Sequence, residues 1–511
     1  MTKHVQMTEP EPVDEKELQQ VQHFDLQPTG TNVTDTDKGS FAHSTEGDAF
    51  KAGHSAAERK LLWKMAYLDR GNLANAKLAA SDNSPGLLED VLAGKDQNYS
   101  IALSCFFITY IVLSIPGTLM AKHFLPSRTI ACGSAIWAIA ATCQAATKNP
   151  AGLYVCRLFV GVGESHFGQA MALHLSYWYT KRDLARRIGF FISAGAVSGA
   201  FGGLISFGVT SIKHAKIANW RILFLIEGCP SVILAICVAL FMPTRPETSK
   251  FLTEDERTLC LTRLNAQNSP DAKLGIQKAG VIRCLTDWKT YVVSIMYSCM
   301  NLTLGSVGGF LPTIIKNFGY TNARAQLMTV PPYAVALVFM LLLTTFSDRR
   351  QTRGIPVMVP FALGIIGWAV LLTVPPTHGT QAMWSGRYFA CCCIVTAGYT
   401  NIPLIMAWQS ANTGNESQRA TSLGMLNTIG QCLSVLAAFL FPKDESPKFT
   451  KGCIVNLSFQ CLGLVIALCM TCWYRYENKV RDRAEGGRPP AGTPLETLEY
   501  HDLAAGFRYT P

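Results

Sequence analysis

The sequence predicts an all-α membrane protein whose helices form two bundles. Of its 511 residues, 49% are hydrophobic and only 16% are charged, which is less charge than a soluble chain of this size carries. The apolar residues are gathered into segments of about 20 residues, the length of helix that crosses a hydrocarbon core of roughly 30 Å. One polar stretch, Pro243–Asp287, divides these segments into two groups.

The order of polar and apolar stretches defines five regions. Residues 1–60 are polar and acid-rich with few large apolar side chains, which predicts a disordered tail. A first bundle is expected over residues 61–242, a linker over 243–287 and a second bundle over 288–476. Residues 477–511 are expected to form a second disordered tail. The eleven clear spans lie near 99–121, 128–146, 151–175, 188–212, 221–242, 290–314, 325–346, 355–374, 384–408, 420–441 and 453–474.

Lysine and arginine are concentrated in four loops that share one side if the spans alternate. These are Thr180–Arg187, the 243–287 linker, Ser347–Gly354 and the stretch after the last span. Basic loops tend to remain in the cytoplasm, so this side is predicted to be cytoplasmic. The opposite loops are not free of positive charge, since Lys443, Lys448 and Lys451 share one of them.

The composition argues against several other classes of protein. The net charge of +10 is not massed on one segment with interleaved aromatics, so it favours membrane orientation over nucleic-acid binding. Most of the 17 cysteines lie in apolar segments, where thiols behave as small hydrophobes, and the lone pair Cys469–Cys472 is a poor metal or redox motif. The chain contains no GxxxxGK[ST] loop for an ATP-driven pump, no signal peptide and no nucleophile–base set, so we expect no enzyme and no cofactor.

Two charged residues stand inside a segment that is otherwise lipid-like. Arg157 and Glu164 are seven residues apart in Ala151–Tyr179, close to two helical turns, so both side chains lie on one face of the helix. A charge in the bilayer costs several kcal/mol, so such residues usually face a protein interior and carry function. The alternative is a structural ion pair that joins two helices.

The start of the first bundle departs from the regular pattern. The apolar stretch Leu61–Leu68 is followed at once by Asp69 and Arg70. Eight residues of helix extend only about 12 Å, too short to cross a membrane alone. An even number of spans would nevertheless place both tails in the cytoplasm, so we predict a short or broken first helix, with Asp69 and Arg70 near the bundle interior.

Six stretches of the chain occur in an order that is typical of one family. They are LDRGNLANAKL (Leu68–Leu78), RLFVGVGESHFGQA (Arg157–Ala170), NWRILFLIEG (Asn219–Gly228), MPTRPETSKFLTEDER (Met242–Arg257), SDRRQTRG (Ser347–Gly354) and AWQSANTGNESQRA (Ala407–Ala420). From about Leu61 to Glu477 the chain resembles the major facilitator superfamily and, within it, the fungal anion:cation symporters of the allantoate permease type. The resemblance implies two six-helix bundles around a central cavity and a proton-coupled carrier of a small carboxylate, such as allantoate, nicotinate or pantothenate.

The resemblance also implies roles for four charged residues. Related bacterial sugar-acid symporters pair an Asp-Arg on the first helix with an Arg and a Glu on the fourth, which match Asp69, Arg70, Arg157 and Glu164. Desolvation raises the pKa of a buried acid, so Glu164, with Asp69 as the second candidate, is expected to take up the coupling proton. Arg157 and Arg70 are expected to hold the substrate anion, because a guanidinium binds a carboxylate bidentately.

Three polar residues of the second bundle are further candidates for substrate contact. Asn301 lies near the middle of its first span, and Trp408 and Asn412 lie at the end of its fourth.

From the spans, the charged residues and the resemblance together, we expect a monomeric importer in the lipid bilayer of a fungal cell, in the plasma membrane, whose partners are a small organic anion and protons. Two alternatives remain: a nutrient sensor on the same fold that does not transport, and a carrier inactivated by the truncated first helix.

Overall fold

The structure, a computed structural model, describes residues 73–79, 85–178, 181–212, 216–249, 252–267, 277–375, 381–488 and 497–511. Within these ranges the regular structure is helical, with no strand, as the sequence predicts. Residues 1–60, Asp69 and Arg70 lie outside the described ranges, so the predicted tail and the placement of the Asp-Arg pair stay predictions.

The described residues of the N-terminal half form six main helical segments, besides the short helices Leu87–Asp90 and Gln144–Ala146. The main segments are α1 (73–78), α2 (Asp96–His123), α3 (Pro126–Cys143), α4 (Pro150–Trp178), α5 (Lys181–Thr210) and α6 (Asn219–Phe241). The described part of α1 covers less than two turns, and the stretch before it is not described. The five longer helices match the five predicted spans of this half in order.

The C-terminal half also has six segments. They are α7 (Trp288–Lys316), α8 (Val330–Arg350), α9 (Gly354–Thr373), α10 (Gln381–Ala411), α11 (Glu416–Gly430, continued as Cys432–Ala437) and α12 (Thr450–Ala484). Each matches a predicted span, although α11 is interrupted at Gln431. In the described part of the chain, nine helices are long and apolar enough to cross a membrane.

The helices define two ends of the protein. The linker, residues 242–287, lies where α6 ends and α7 begins, and we call this side the linker end. The linker contains two short helices, Glu254–Gln267 and Lys278–Thr286, and we call the second the linker helix. The opposite side, which includes the loop between α7 and α8 with its short helix Asn322–Leu327, is the distal end. The basic loops predicted to be cytoplasmic lie at the linker end.

Glycines allow the helices of the N-terminal half to pack closely. Gly163 of α4 lies against α3, where a Cβ would come within 2.5 Å of the backbone nitrogen of Trp137. Gly161, two residues earlier and on the opposite face of the same helix, faces Thr109 of α2. Small residues at such contacts let backbones approach in lipid, where packing replaces the hydrophobic effect as the force between helices. The position of α4 between α2 and α3 therefore depends on its glycines.

The C-terminal tail differs from its prediction. The helix α12 continues to Ala484, and residues 497–511, which we call the strap, fold back onto the linker end of the C-terminal half. Phe507 and Tyr509 are buried there, and Asp502 is fully buried among cations. The prediction that all of 477–511 is disordered does not hold for these residues, because a few aromatic side chains and one paired charge anchor a segment that is polar on average.

Candidate functional site

A cavity lies between the two halves of the protein. Its described lining comes from α1, α2, α4 and α5 on one side and from α7, α8 and α10 on the other. The lining residues are Ala74, Asn75, Leu103, Phe106, Phe107, Arg157, Ser198, Gly199, Gly202, Leu304, Gly305, Val307, Gly308, Gly309, Pro312, Thr329, Tyr333 and Tyr399. The cavity therefore has walls from both halves, as a site that is alternately exposed to the two sides of a membrane requires.

Aromatic rings and glycines shape the cavity walls. Phe106 and Phe107 of α2 stand edge to face, with ring centroids 5.1 Å apart. Tyr333 of α8 and Tyr399 of α10 pair in the same way at 5.5 Å. Gly199 of α5 faces the ring of Tyr333, where any Cβ would overlap it. The walls are thus mostly apolar, with few polar groups, which is the usual composition of a small-molecule site.

Arg157 supplies the only charged side chain among the described lining residues. It is 1% exposed and lies on α4 between the buried Leu153 and Val160. A guanidinium stays protonated in proteins and presents a fixed fork of N–H donors, which matches the geometry of a carboxylate. The cavity is therefore suited to a small anion.

Glu164 is also buried, at 6% exposure, but it is not one of the described lining residues. It lies on the same face of α4 as Arg157 and roughly 10 Å further along the helix axis, toward the linker end. The structure thus brings the two predicted residues into one buried stripe. Glu164 itself lies between the cavity and the linker end rather than in the cavity wall.

Asn301 lies one helical turn from Leu304 and Gly305 of the cavity wall and is 1% exposed. Its side-chain amide has no hydrogen-bond partner in the described part of the chain. The same holds for Asn401 of α10, which is fully buried and which the sequence analysis did not single out. Gly398 of α10 packs on Leu304 of α7, and the two helices run in opposite directions. Asn401 and Asn301 each lie three residues further toward the linker end. The two asparagines are therefore at one level, on the linker-end side of the cavity.

Trp408 and Asn412 lie away from the cavity, at the linker end, and contact the strap. The indole N–H of Trp408 donates to the backbone oxygen of Thr510 at 2.8 Å. Asn412 bonds the same oxygen at 3.2 Å and accepts from the Thr510 N–H at 2.7 Å. Neither residue is among the described lining residues, so their substrate role stays a prediction and a structural role is observed instead.

The two halves are joined at the distal end by hydrogen bonds that the sequence did not reveal. The Tyr99 hydroxyl of α2 donates to the backbone oxygen of Gly309 in α7 at 2.8 Å. Gln326 accepts from the Thr210 hydroxyl at 2.9 Å and donates to the backbone oxygen of Asn75 at 3.0 Å. These hydrogen bonds therefore hold the two halves together on the distal side of the cavity.

A buried lysine reinforces this contact between the halves. Lys77 of α1 forms an ion pair with Asp96 of α2 at 3.1 Å and lies 4.4 Å from the centre of the Tyr99 ring. It also lies 5.6 Å from the ring of Phe310, which belongs to the other half. A cation over aromatic faces is attractive, so Lys77 helps to hold α1 and α2 against α7. In the sequence, Lys77 is recognisable only as a lysine in an apolar stretch, and nothing there indicates its partners.

Comparison with known proteins agrees with this architecture. A family model for the Major Facilitator Superfamily matches residues 72–438. The chain belongs to this superfamily. It is 30% identical to the MFS-type transporter efuF of Hormonema carpetanum over 445 residues, which are 87% of each chain. It is 28% identical to the high-affinity nicotinic acid transporter of Saccharomyces cerevisiae, with 87% of this chain and 83% of that protein covered.

Solved structures of the superfamily share the fold. The proton:xylose symporter XylE bound to 6-bromo-6-deoxy-D-glucose superposes with a TM-score of 0.63 at 14% identity, covering 81% of this chain and 94% of that one. A bacterial homologue of the human lysosomal transporter Spinster, inward-facing and unoccupied, gives 0.57 at 13% identity, covering 82% and 95%. These TM-scores show that the chain shares the fold of these proteins.

The distal contact predicts a shift in conformation when one hydrogen bond is removed. Tyr99→Phe deletes the bond to Gly309 and keeps the ring over which Lys77 lies, so the state with a closed distal end should lose about 1 kcal/mol, or roughly fivefold in population. Spin labels at the exposed Lys95 and Lys316 should report a longer-distance population by pulsed electron resonance.

A matched control for this prediction is Tyr291→Phe. The Tyr291 hydroxyl also bonds a backbone oxygen, that of Leu285, but at the linker end, between α7 and the linker helix rather than between the two halves. It should leave the distance distribution unchanged. An unchanged distribution in Tyr99→Phe would contradict a role for this bond in closure.

Proposed function

We propose that this transporter imports a small organic carboxylate together with protons. The observation that carries the proposal is the Arg157 guanidinium, buried in a mostly apolar cavity as the one charged group of the described lining. In a low-dielectric site a cation attracts an anion far more strongly than in water, and a carboxylate can use two N–H donors of the fork at once. A neutral solute would gain less from this site.

One relative supports an aromatic carboxylate as the class of substrate. This relative is named as a nicotinic acid transporter, and nicotinic acid is an aromatic carboxylate. The rings of Phe106, Phe107, Tyr333 and Tyr399 would suit the ring of such a solute, while Arg157 would bind its carboxylate. Nicotinate, allantoate and pantothenate are the first candidates, as the resemblance to the allantoate permease type implies. Both sequence relatives named above, at 30% and 28% identity, are fungal, which supports a fungal membrane, and we propose the plasma membrane.

Proton coupling is assigned to Glu164. A carboxylate buried to this degree is stabilised in its neutral form, and an arginine on the same face of α4 opposes protonation. When a substrate carboxylate neutralises Arg157, Glu164 is released to take a proton, so substrate and proton bind together. Asp69 is the second candidate for the proton and Arg70 a second contact for the substrate.

The C-terminal half would supply neutral polar contacts. The amides of Asn301 and Asn401 are buried without partners among the described residues and lie one turn from the cavity wall. An amide offers both donors and an acceptor, so the pair could bind a polar group at the far end of a solute. Trp408 and Asn412 are weaker candidates, because their polar atoms already bond the strap.

The proposal predicts which solutes enter cells and how Arg157 affects their uptake. A panel of radiolabelled carboxylates should be tested in a yeast strain that lacks its own permeases, with the wild type and Arg157→Lys. At least one carboxylate should accumulate, and Arg157→Lys should raise its KM by about tenfold or more, because a lysine keeps the charge but loses the bidentate geometry.

The control for this experiment is Arg128→Lys, at an exposed arginine near the start of α3. It should leave KM unchanged. Uptake of no member of the panel, or an unchanged KM in Arg157→Lys, would contradict the proposed binding site.

A second prediction separates proton coupling from substrate movement. Glu164→Gln should abolish accumulation driven by a pH gradient while leaving exchange of substrate across the membrane partly intact, because the amide resembles the protonated acid and lets the carrier reorient. The measurement is uptake and counterflow at several external pH values in the same yeast strain.

The chain offers a matched variant for this test. Glu227 of α6 is another buried glutamate, 2% exposed, outside the described cavity lining. Glu227→Gln should retain pH-driven accumulation if the coupling is specific to Glu164. A normal pH dependence in Glu164→Gln would make the Arg157–Glu164 stripe structural and would move the proton site to Asp69.

A further inference from the structure

The strap is held to the C-terminal half by contacts with several elements that are far apart in the sequence. Its Thr510 bonds Trp408 and Asn412 at the end of α10. The backbone oxygen of Pro511 accepts from the N–H groups of Arg353 and Gly354 at the start of α9. The segment therefore spans the linker end of this half and contacts helices that it does not follow in the chain.

Asp502 is the centre of these contacts. Its fully buried carboxylate accepts hydrogen bonds from Arg283 of the linker helix at 2.9 and 3.1 Å and from Lys289 of α7 at 2.8 Å. Gln418 of α11 and the Tyr509 hydroxyl bond it at 3.1 and 2.9 Å. Burial alone would raise the pKa of Asp502, but the bonds and charges of Arg283 and Lys289 outweigh it and lower the pKa, so the carboxylate stays charged at neutral pH.

Aromatic packing and α12 complete the attachment of the strap. The Tyr509 ring stacks on Tyr474 of α12, with centroids 5.0 Å apart, and its backbone bonds Asn478 in both directions. Arg481 donates to the backbone oxygens of Asp502 and Phe507 and to the Tyr509 hydroxyl. Asp502, Phe507 and Tyr509 are buried together, which a segment lying loosely on the surface would not achieve. The position of the strap is therefore specific.

The linker helix is attached to the C-terminal half both directly and through the strap. Its last turn is bonded directly to α7, because the Tyr291 hydroxyl donates to the backbone oxygen of Leu285 at 2.9 Å. Its start is tied directly to α11, because the N–H of Gln277 donates to Ser417 and Asn415 donates to the Gln277 side chain. Near its last turn, the Arg283 guanidinium is joined to α11 and α7 through the shared carboxylate of Asp502. Without that carboxylate, Arg283 would lose this ion pair, and Lys289 would keep its pair with Asp287 at 3.2 Å.

We propose that the strap is an intramolecular latch, which fixes the linker helix Lys278–Thr286 to the inner surface formed by α7, α11 and α12 at the linker end. The linker connects two halves that must move relative to each other during transport. Because it is fixed in this way, the linker helix moves as part of the C-terminal half. The strap thus sets how the two halves are coupled.

Hydrogen exchange on the purified, full-length protein tests the latch. Asp502→Asn removes the charge that pairs with Arg283 and Lys289, and Gly414→Ala displaces the strap from the other side, because a Cβ at Gly414 would overlap the backbone of His501. Both variants should accelerate amide exchange in residues 278–286 by roughly tenfold, as local opening without global unfolding does, and leave the distal helix Asn322–Leu327 unchanged.

Two controls make the comparison specific. Asp482→Asn removes a more exposed carboxylate that also pairs with the strap, through Arg508, and Gly424→Ala adds a methyl group on α11 where no atom lies within 4 Å. Neither should change exchange in the linker helix. Unchanged exchange in Asp502→Asn and Gly414→Ala, or an equal acceleration throughout the protein, would overturn the latch. If both variants failed to fold while both controls folded, the strap would be an integral part of the fold and the latch would again be overturned.

Discussion

The structure depends on burying the charge of Arg157 between two halves that must still separate. A guanidinium cannot lose its proton, so in a low-dielectric cavity its charge has to be compensated by other groups or by a bound anion. The same cavity needs helices close enough to enclose a solute, which the glycines of α5 and α7 permit. The chemistry of the site and the packing of the halves therefore follow from one constraint, and the anionic solute that we propose would satisfy both.

The two ends of the protein have different kinds of interaction. At the distal end the halves meet directly, through Tyr99 and Gly309 and through Gln326 with its partners on α1 and α5. A few neutral hydrogen bonds and one cation over aromatic rings are weak enough to break in a transport cycle. At the linker end the strap ties elements of a single half together with a buried, multiply paired carboxylate. Such a group is costly to separate, which suits a part that moves as one body.

Much of this architecture could be predicted because apolar segments of spanning length are a strong signal, and a charge inside one of them, such as Arg157, points to an interior site. The remainder depends on contacts between distant residues. Asp502, Phe507 and Tyr509 are three residues in a tail that is polar on average, and their partners are up to about 220 positions away. Asn401 looks like any polar residue in a span until its packing against α7 is known. Trp408 and Asn412 were predicted at the correct helix end but contact the strap.

The central claim, that the cavity selects a carboxylate through Arg157, is tested most directly by pairs of solutes that differ only in that group. Nicotinate and nicotinamide are such a pair, and each carboxylate of a wider panel can be compared with its carboxamide by equilibrium binding to the purified protein. We expect a carboxylate to bind at least about tenfold more tightly than its amide, a difference of roughly 1.4 kcal/mol. Equal affinities within every pair, or no binding of any carboxylate, would contradict the account.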